Sequence, residues 1–225
     1  MFNNLKLVGT SHISSDSISE IQRIYDEFNP DTIAVELDLR RYHALMSGQQ
    51  KSNLRLKDAF SLGFSGFLFM IIGRFVQKKL GNIVGIEPGS DMKKGIELAK
   101  KNQKQLLFID RDIQITLQRF SKSFGFKEKM KILFDLFKGM FGFAPKVNIS
   151  LEKVPSKKTI NYLLKEIKKQ YPSIYKVLID ERNKFMAKKI FLYLKNNPNS
   201  KLLCIIGAGH EEGLNSDLKS LYYSN

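Results

Sequence analysis

Short, largely apolar runs alternate along this chain with longer stretches in which apolar residues return every three or four positions. Five of the runs are Leu5–Val8, Thr32–Leu37, Ile83–Ile86, Leu106–Ile109 and Leu202–Ile206, each bounded by turn or helix-start residues. Runs this short and this apolar predict buried strands. The stretches between them, Ser17–Phe28, Arg40–Met46, Leu54–Leu80 and Asp91–Lys101, with a long block from Asp112 to Lys195, predict helices. Strand alternating with helix gives an α/β fold: a mainly parallel sheet of about five strands flanked by helices. A large helical insertion, about residues 112–200, precedes the last strand. At 225 residues the chain makes one generous domain, residues 1–225.

The longest apolar stretch, "FSLGFSGFLFMII" from Phe60 to Ile72, is closed off by Arg74, well short of the ~20 residues that a membrane span requires. It reads as a buried helix. Gly63, Gly66 and Gly73 lower its intrinsic helix propensity, so packing must hold it.

Charge changes the picture in one region. The chain carries 37 Lys and Arg against 22 Asp and Glu, a net +15, and 19 of the bases but only 6 of the acids lie between Ser121 and Lys201. A basic excess prompts nucleic acid or anionic lipid as partners. Much of it is lysine, which a compositional habit also explains, and no basic groove interleaved with aromatics or recognisable nucleic-acid module accompanies it. Nucleic acid is therefore not an expected partner. Within the excess, Phe124–Phe143, "FGFKEKMKILFDLFKGMFGF", mixes Phe and Met with Lys in a pattern that forms an amphipathic helix. Its expected cover is the interface of a homodimer, or the site itself with the helix as a lid. A basic amphipathic helix also permits contact with a membrane surface. The single cysteine, Cys204, excludes an intramolecular disulfide and a cysteine-based zinc site. Met1–Val8 holds no basic segment followed by a long apolar run, so the expected location is the cytoplasm, with peripheral membrane contact as the variant.

Polar chemistry ends every run. Gly9, Thr10, Ser11 and His12 follow the first, Glu36 and Asp38 close the second, and Glu87, Pro88 and Gly89 follow the third. Asp110, Arg111 and Asp112 follow the fourth, and Gly207, Ala208, Gly209 and His210 the fifth. In an open parallel sheet the carboxyl ends of the strands share one edge, and ligands bind in the crevice outside it. Parallel strands would therefore bring two histidines and several carboxylates together from distant parts of the chain. The two Gly-x-x-His motifs stand almost 200 residues apart. Glycine lets the backbone turn and approach a ligand, while histidine ligates metal, moves protons or orients water.

Each candidate has a plainer competitor. His12 and His210 would otherwise bond loop backbone, and His43, on the helix after the second strand, reads as a surface or core-edge histidine. Glu36 lies inside "TIAVELD", where a carboxylate is costly unless it is paired or faces a site; a salt bridge to Arg40 or Arg41 is the competing account. One of Asp110 and Asp112 reads as the N-cap of the next helix. Glu181 and Arg182, in "IDERNKFMAKKI", suit a site if they face inward and a solvated face if they do not. The chain has no P-loop, no Gly-rich dinucleotide fingerprint, no HExxH and no nucleophile elbow.

In chain order, "GTSHIS" with Ser17 following, "PDTIAVELDLRRYHAL", "GIEPGSDMKKGIELAK", "LLFIDRDIQITLQR", "DERNKFMAKKI" and "IIGAGHEEGL" resemble the TraB family. That family is part of a wider group with the Tiki proteases, the ChaN-like proteins and the erythromycin esterases, and the resemblance spans residues 5–215. The Tiki proteins are metal-dependent peptidases, which implies His12, Glu36 and His210 as ligands of a divalent ion: zinc, manganese or cobalt. On that pattern Glu87 or Asp110 is the general base, and Arg111 or Arg182 holds a substrate carboxylate or a developing oxyanion. The erythromycin esterases imply hydrolysis by histidine and glutamate with no metal. Bacterial TraB relatives act in the shutdown of peptide pheromones, which implies either degradation or sequestration without turnover. In each case the expected partner is a small peptide or ester-like substrate.

Overall fold

The computed structural model describes residues 2–10, 15–47, 89–123 and 156–224, with scattered positions between 125 and 135. Among these residues four strands, β1 (Leu5–Thr10), β2 (Thr32–Val35), β3 (Gln105–Phe108) and β4 (Leu202–Gly207), form one sheet in the order β1-β4-β2-β3. Every pairing is parallel. These strands correspond to the first, second, fourth and fifth apolar runs. The expected strand Ile83–Ile86, the segment Phe60–Ile72 and most of 124–143 lie outside the described residues.

The alternation of side chains along each strand explains why the runs are so largely apolar. In β4, Leu203 and Ile205 enter one core with Val8, Ile33 and Val35, while Leu202, Cys204 and Ile206 enter a second core with Ala34. Helices α1 (Ser15–Phe28) and α3 (Ser90–Lys101) cover the first face through Ile21, Ile24, Tyr25, Met92, Ile96 and Ala99. All six residues of β4 are buried, and each large aliphatic side chain so covered contributes about 1.5 to 3 kcal/mol.

Two short helices follow strand ends: α2 (Leu39–Met46) after β2 and α4 (Ile113–Ser123) after β3. Among its described residues the insertion is helical, as expected, and includes α5 (Lys157–Gln170), α6 (Pro172–Tyr175), a π-helical turn (Lys176–Asp180) and α7 (Glu181–Asn196). After β4 the chain ends in α8 (Ala208–Tyr223). Helices α7 and α8 cover the second face through Met186, Ala187, Ile190, Leu194, Leu214 and Leu218. Thus α1, between β1 and β2, and α3, between β2 and β3, lie on one face, and α7, before β4, on the other, the arrangement in which the crossovers share one hand. No helix among the described residues is long and apolar enough to cross a membrane.

Register aligns the strand ends. Thr10 stands opposite Gly207, and Val35 opposite both Ile205 and Phe108. The carboxyl ends of the strands therefore share one common edge.

Candidate functional site

Glu36 is the first residue past β2, and its backbone N–H still continues the ladder to Ile205 O at 3.1 Å. Its side chain is therefore delivered to the sheet edge while almost fully buried, at 4% exposure. Oε2 accepts the Gly207 backbone N–H at 2.7 Å, and Oε1 is paired with Arg182 Nη2. The partner is thus a residue of α7, while Arg40 and Arg41 go elsewhere: Arg40 to Asp112 and Arg41 to Asp110.

Arg182 links three of the expected site residues. Its Nε and Nη2 bind Asp110 Oδ1 and Oδ2 at 3.1 and 2.8 Å, a two-pronged pairing, while Nη2 also reaches Glu36. Nη1 donates to Leu178 O at 3.2 Å and stands 2.9 Å from His210 Nε2. Burial alone would lower the pKa of this guanidinium, but Glu36 and Asp110 outweigh that and raise it above the ordinary arginine value. It is a permanent cation.

His210 is the third residue of α8 and is buried. Its Nε2 lies 3.3 Å from Glu36 Oε1, and its Nδ1 meets Asn183 Oδ1 at 2.7 Å. Asp110 is further held by Arg41 Nη1 at 2.9 Å and by the Arg111 backbone N–H at 2.8 Å. With both oxygens occupied by cations and a backbone donor, the visible work of Asp110 is to anchor Arg182. Asp112 caps α4, accepting the Gln114 N–H at 2.7 Å.

The π turn matters to this geometry. The Glu181 N–H bonds back five residues to Lys176 O, and the carbonyls of Val177 and Leu178 accept from arginine side chains. Arg111 donates to Val177 O, Thr116 Oγ1 and Glu181 Oε2, each at 2.9 Å. The structure thus gives Arg111 the role of a buried brace between α4 and the π turn. π turns of this kind recur at functional sites, and here one precedes the three consecutive residues Glu181, Arg182 and Asn183.

Of the sequence-derived candidates, Glu36, Asp110, Arg182 and His210 come together; Arg111 joins them only through its backbone. His12 and Glu87 lie outside the described residues. His43 is exposed on α2, its ring edge-on to Tyr42. Two residues were missed. Asn183 sits on the buried stripe of α7 with Met186, Ala187, Ile190 and Leu194, and a polar residue on such a stripe signals a partner. Asp91 sits likewise on the stripe of α3 with Gly95 and Ala99, buried, and accepts from the Thr10 hydroxyl and the Met92 N–H. Thr10, the last residue of β1, lies two positions before His12.

A metal can be tested against the donors present. Two ligands each about 2.0 to 2.1 Å from a tetrahedral ion stand about 3.3 Å apart, which is the 3.3 Å separation of His210 Nε2 and Glu36 Oε1. The spacing of these two donors fits, and both are already engaged by Arg182. Among the described residues no group of three or more His, Cys, Asp or Glu is placed to hold an ion.

Residues 3–221 match the family model described as the TraB/PrgY/gumN family. An uncharacterized protein of Methanocaldococcus jannaschii is 42% identical over 229 residues, taking in 99% of this chain and 55% of that protein. TraB domain-containing proteins of Mus musculus and Homo sapiens are each 22% identical, over 92% of this chain and 61% of theirs. The chain therefore spans a little over half the length of the curated relatives it matches.

Proposed function

The chain belongs to the TraB/PrgY/gumN family, and from that premise we propose that its strand-end cluster hydrolyses a peptide, amide or ester bond in a small substrate. The observation that carries this reading is the buried triplet of His210 Nε2, Glu36 Oε1 and the Arg182 guanidinium, with 3.3 Å and 2.9 Å between the histidine nitrogen and the other two. A basic nitrogen, a carboxylate and a permanent cation converge where parallel strands end, which is where open sheets bind ligands.

His210, Glu36 and, from the first Gly-x-x-His motif, His12 would hold a divalent ion: zinc, manganese or cobalt. When bound, such an ion acts as a Lewis acid and lowers the pKa of coordinated water. Arg182 supplies fixed positive charge for a substrate carboxylate or a developing oxyanion, and Asp110 and Arg41 keep it in place. Glu87 remains the proposed general base. A second reading has its own support: Arg182 already engages both Glu36 Oε1 and His210 Nε2. That arrangement suits hydrolysis without metal, His210 acting as general base once Arg182 turns from Nε2 to the substrate, with Glu36 as its partner.

Elemental analysis of protein purified without added metal, together with turnover on peptide and ester libraries, tests the reading. The expected result is stoichiometric metal and measurable hydrolysis, both lost in His12→Ala and His210→Ala variants that remain folded. Turnover in metal-free protein that His210→Ala abolishes would select the metal-independent route. Full metal content and full turnover in both variants would refute either form.

A further inference from the structure

Under the hydrolase reading His210 works through Nε2, and what its other nitrogen touches decides whether that atom is available. Arginine has donors only, so the 2.9 Å contact between Arg182 Nη1 and His210 Nε2 requires the lone pair on Nε2. The proton of the neutral ring then sits on Nδ1, 2.7 Å from Asn183 Oδ1. Asn183 must present its oxygen to the ring, which turns its amide nitrogen toward α8. There Gly213 leaves the space: a Cβ at that position would stand 2.2 Å from Asn183 Nδ2. Asn183 is 2% exposed, so no water competes for the bond, and Met186 and Ala187 bury the same stripe of α7 one turn on.

We propose that Asn183, seated against Gly213, is a positioning residue that holds His210 in its Nδ1–H tautomer and aims the Nε2 lone pair at the Arg182 guanidinium, beside Glu36. The arrangement rests on the hydrolase reading only for its catalytic meaning, since the tautomer is a property of the folded chain. A fixed partner on the second nitrogen sets both the tautomer and the ring orientation of a working histidine. Of the two α7 residues that touch His210, Arg182 supplies charge and Asn183 supplies aim.

Long-range ¹H–¹⁵N spectra of histidine-labelled protein read the tautomer directly. The chain has three histidines, and His210→Gln identifies the signals of His210. At about pH 9, above the ordinary imidazole value of about 6.5, wild type should show His210 as Nδ1–H. Asn183→Leu, with no acceptor, should move the ring toward the Nε2–H form, while Asn183→Asp, which keeps the acceptor, should preserve Nδ1–H. Gly213→Ala should disturb the tautomer by the separate route of crowding Asn183, and together with wild type it decides the matter if Asn183→Leu does not fold. Titration with cobalt alone, followed by visible absorption, should show affinity about 10- to 100-fold weaker in Asn183→Leu and near wild type in Asn183→Asp. An Nε2–H ring in wild type, or spectra unchanged by both Asn183→Leu and Gly213→Ala, overturns the proposal. The expected tautomers in a protein that neither binds cobalt nor turns over substrate would instead count against the hydrolase reading alone.

Discussion

Arg182 shows how much one side chain can be asked to do. It neutralises two buried carboxylates on different strand ends, Glu36 after β2 and Asp110 after β3, and touches His210 from β4's side of the edge. A buried pair is weak evidence of net stabilisation, since desolvation opposes the attraction, but breaking one leaves an uncompensated charge inside. Arg182→Ala should therefore cost about 3 to 5 kcal/mol in urea denaturation. Arg182→Lys should recover part of that loss, because an ammonium keeps the charge but cannot grip Asp110 with two prongs while reaching Glu36. An alanine variant as stable as wild type would show that the carboxylates are not buried around this cation.

At the scale of elements, the approach of α3 to the sheet depends on the absence of a side chain at Gly95. A Cβ there would lie 2.4 Å from Ile205 Cδ1 and 3.3 Å from Val35 Cγ1, both in the closed first core. Alanine favours a helix over glycine by about 1 kcal/mol, whereas overpacking a well-filled core costs about 1 to 3 kcal/mol. Gly95→Ala should accordingly lower the melting temperature, with the strain falling on β2 and β4 and so on the strand ends that carry Glu36 and Gly207. Gly9 makes the useful contrast: its Cβ would meet Glu211 Oε2 at 2.1 Å, on a partly exposed side chain paired with Lys157, which can swing aside. Gly9→Ala should be the milder change, and the reverse order in thermal melts would show that the helix–sheet contact yields more easily than its geometry implies.

Across the whole molecule, the sheet is sealed between two helical layers, and Cys204 measures how well. It is fully buried in β4, between β1 and β2, and burial pushes its thiol well above the usual range. A buried thiol without thiolate character is inert. Native protein should therefore resist thiol reagents even at about pH 9, where an ordinary cysteine with pKa near 8.5 is largely ionised, and should react at once in denaturant. Labelling in native buffer at a rate tracking that of a free thiol would mean that the central strand opens without global unfolding.

Much of this is legible in the sequence alone. Short, largely apolar runs alternating with helical periods specify a parallel sheet covered on both faces, because strands buried on both sides carry apolar residues toward each. Glu36 and His210 could be picked out locally, as a carboxylate inside an apolar run and a histidine on a glycine turn after a strand. What only the tertiary structure decided is which groups meet. The partner of Glu36 is not the nearby Arg40 or Arg41 but Arg182, 146 positions away, and Arg111, adjacent to Asp110 in the chain, braces the π turn. Asn183 and Asp91 were visible only as polar interruptions of buried stripes. Periodicity reports which side of a helix is buried, since that follows from a fixed number of residues per turn. A hydrogen-bond partner depends on how far one helix is rotated and shifted against another, and that is set by packing summed over the whole core, which no local stretch of sequence contains.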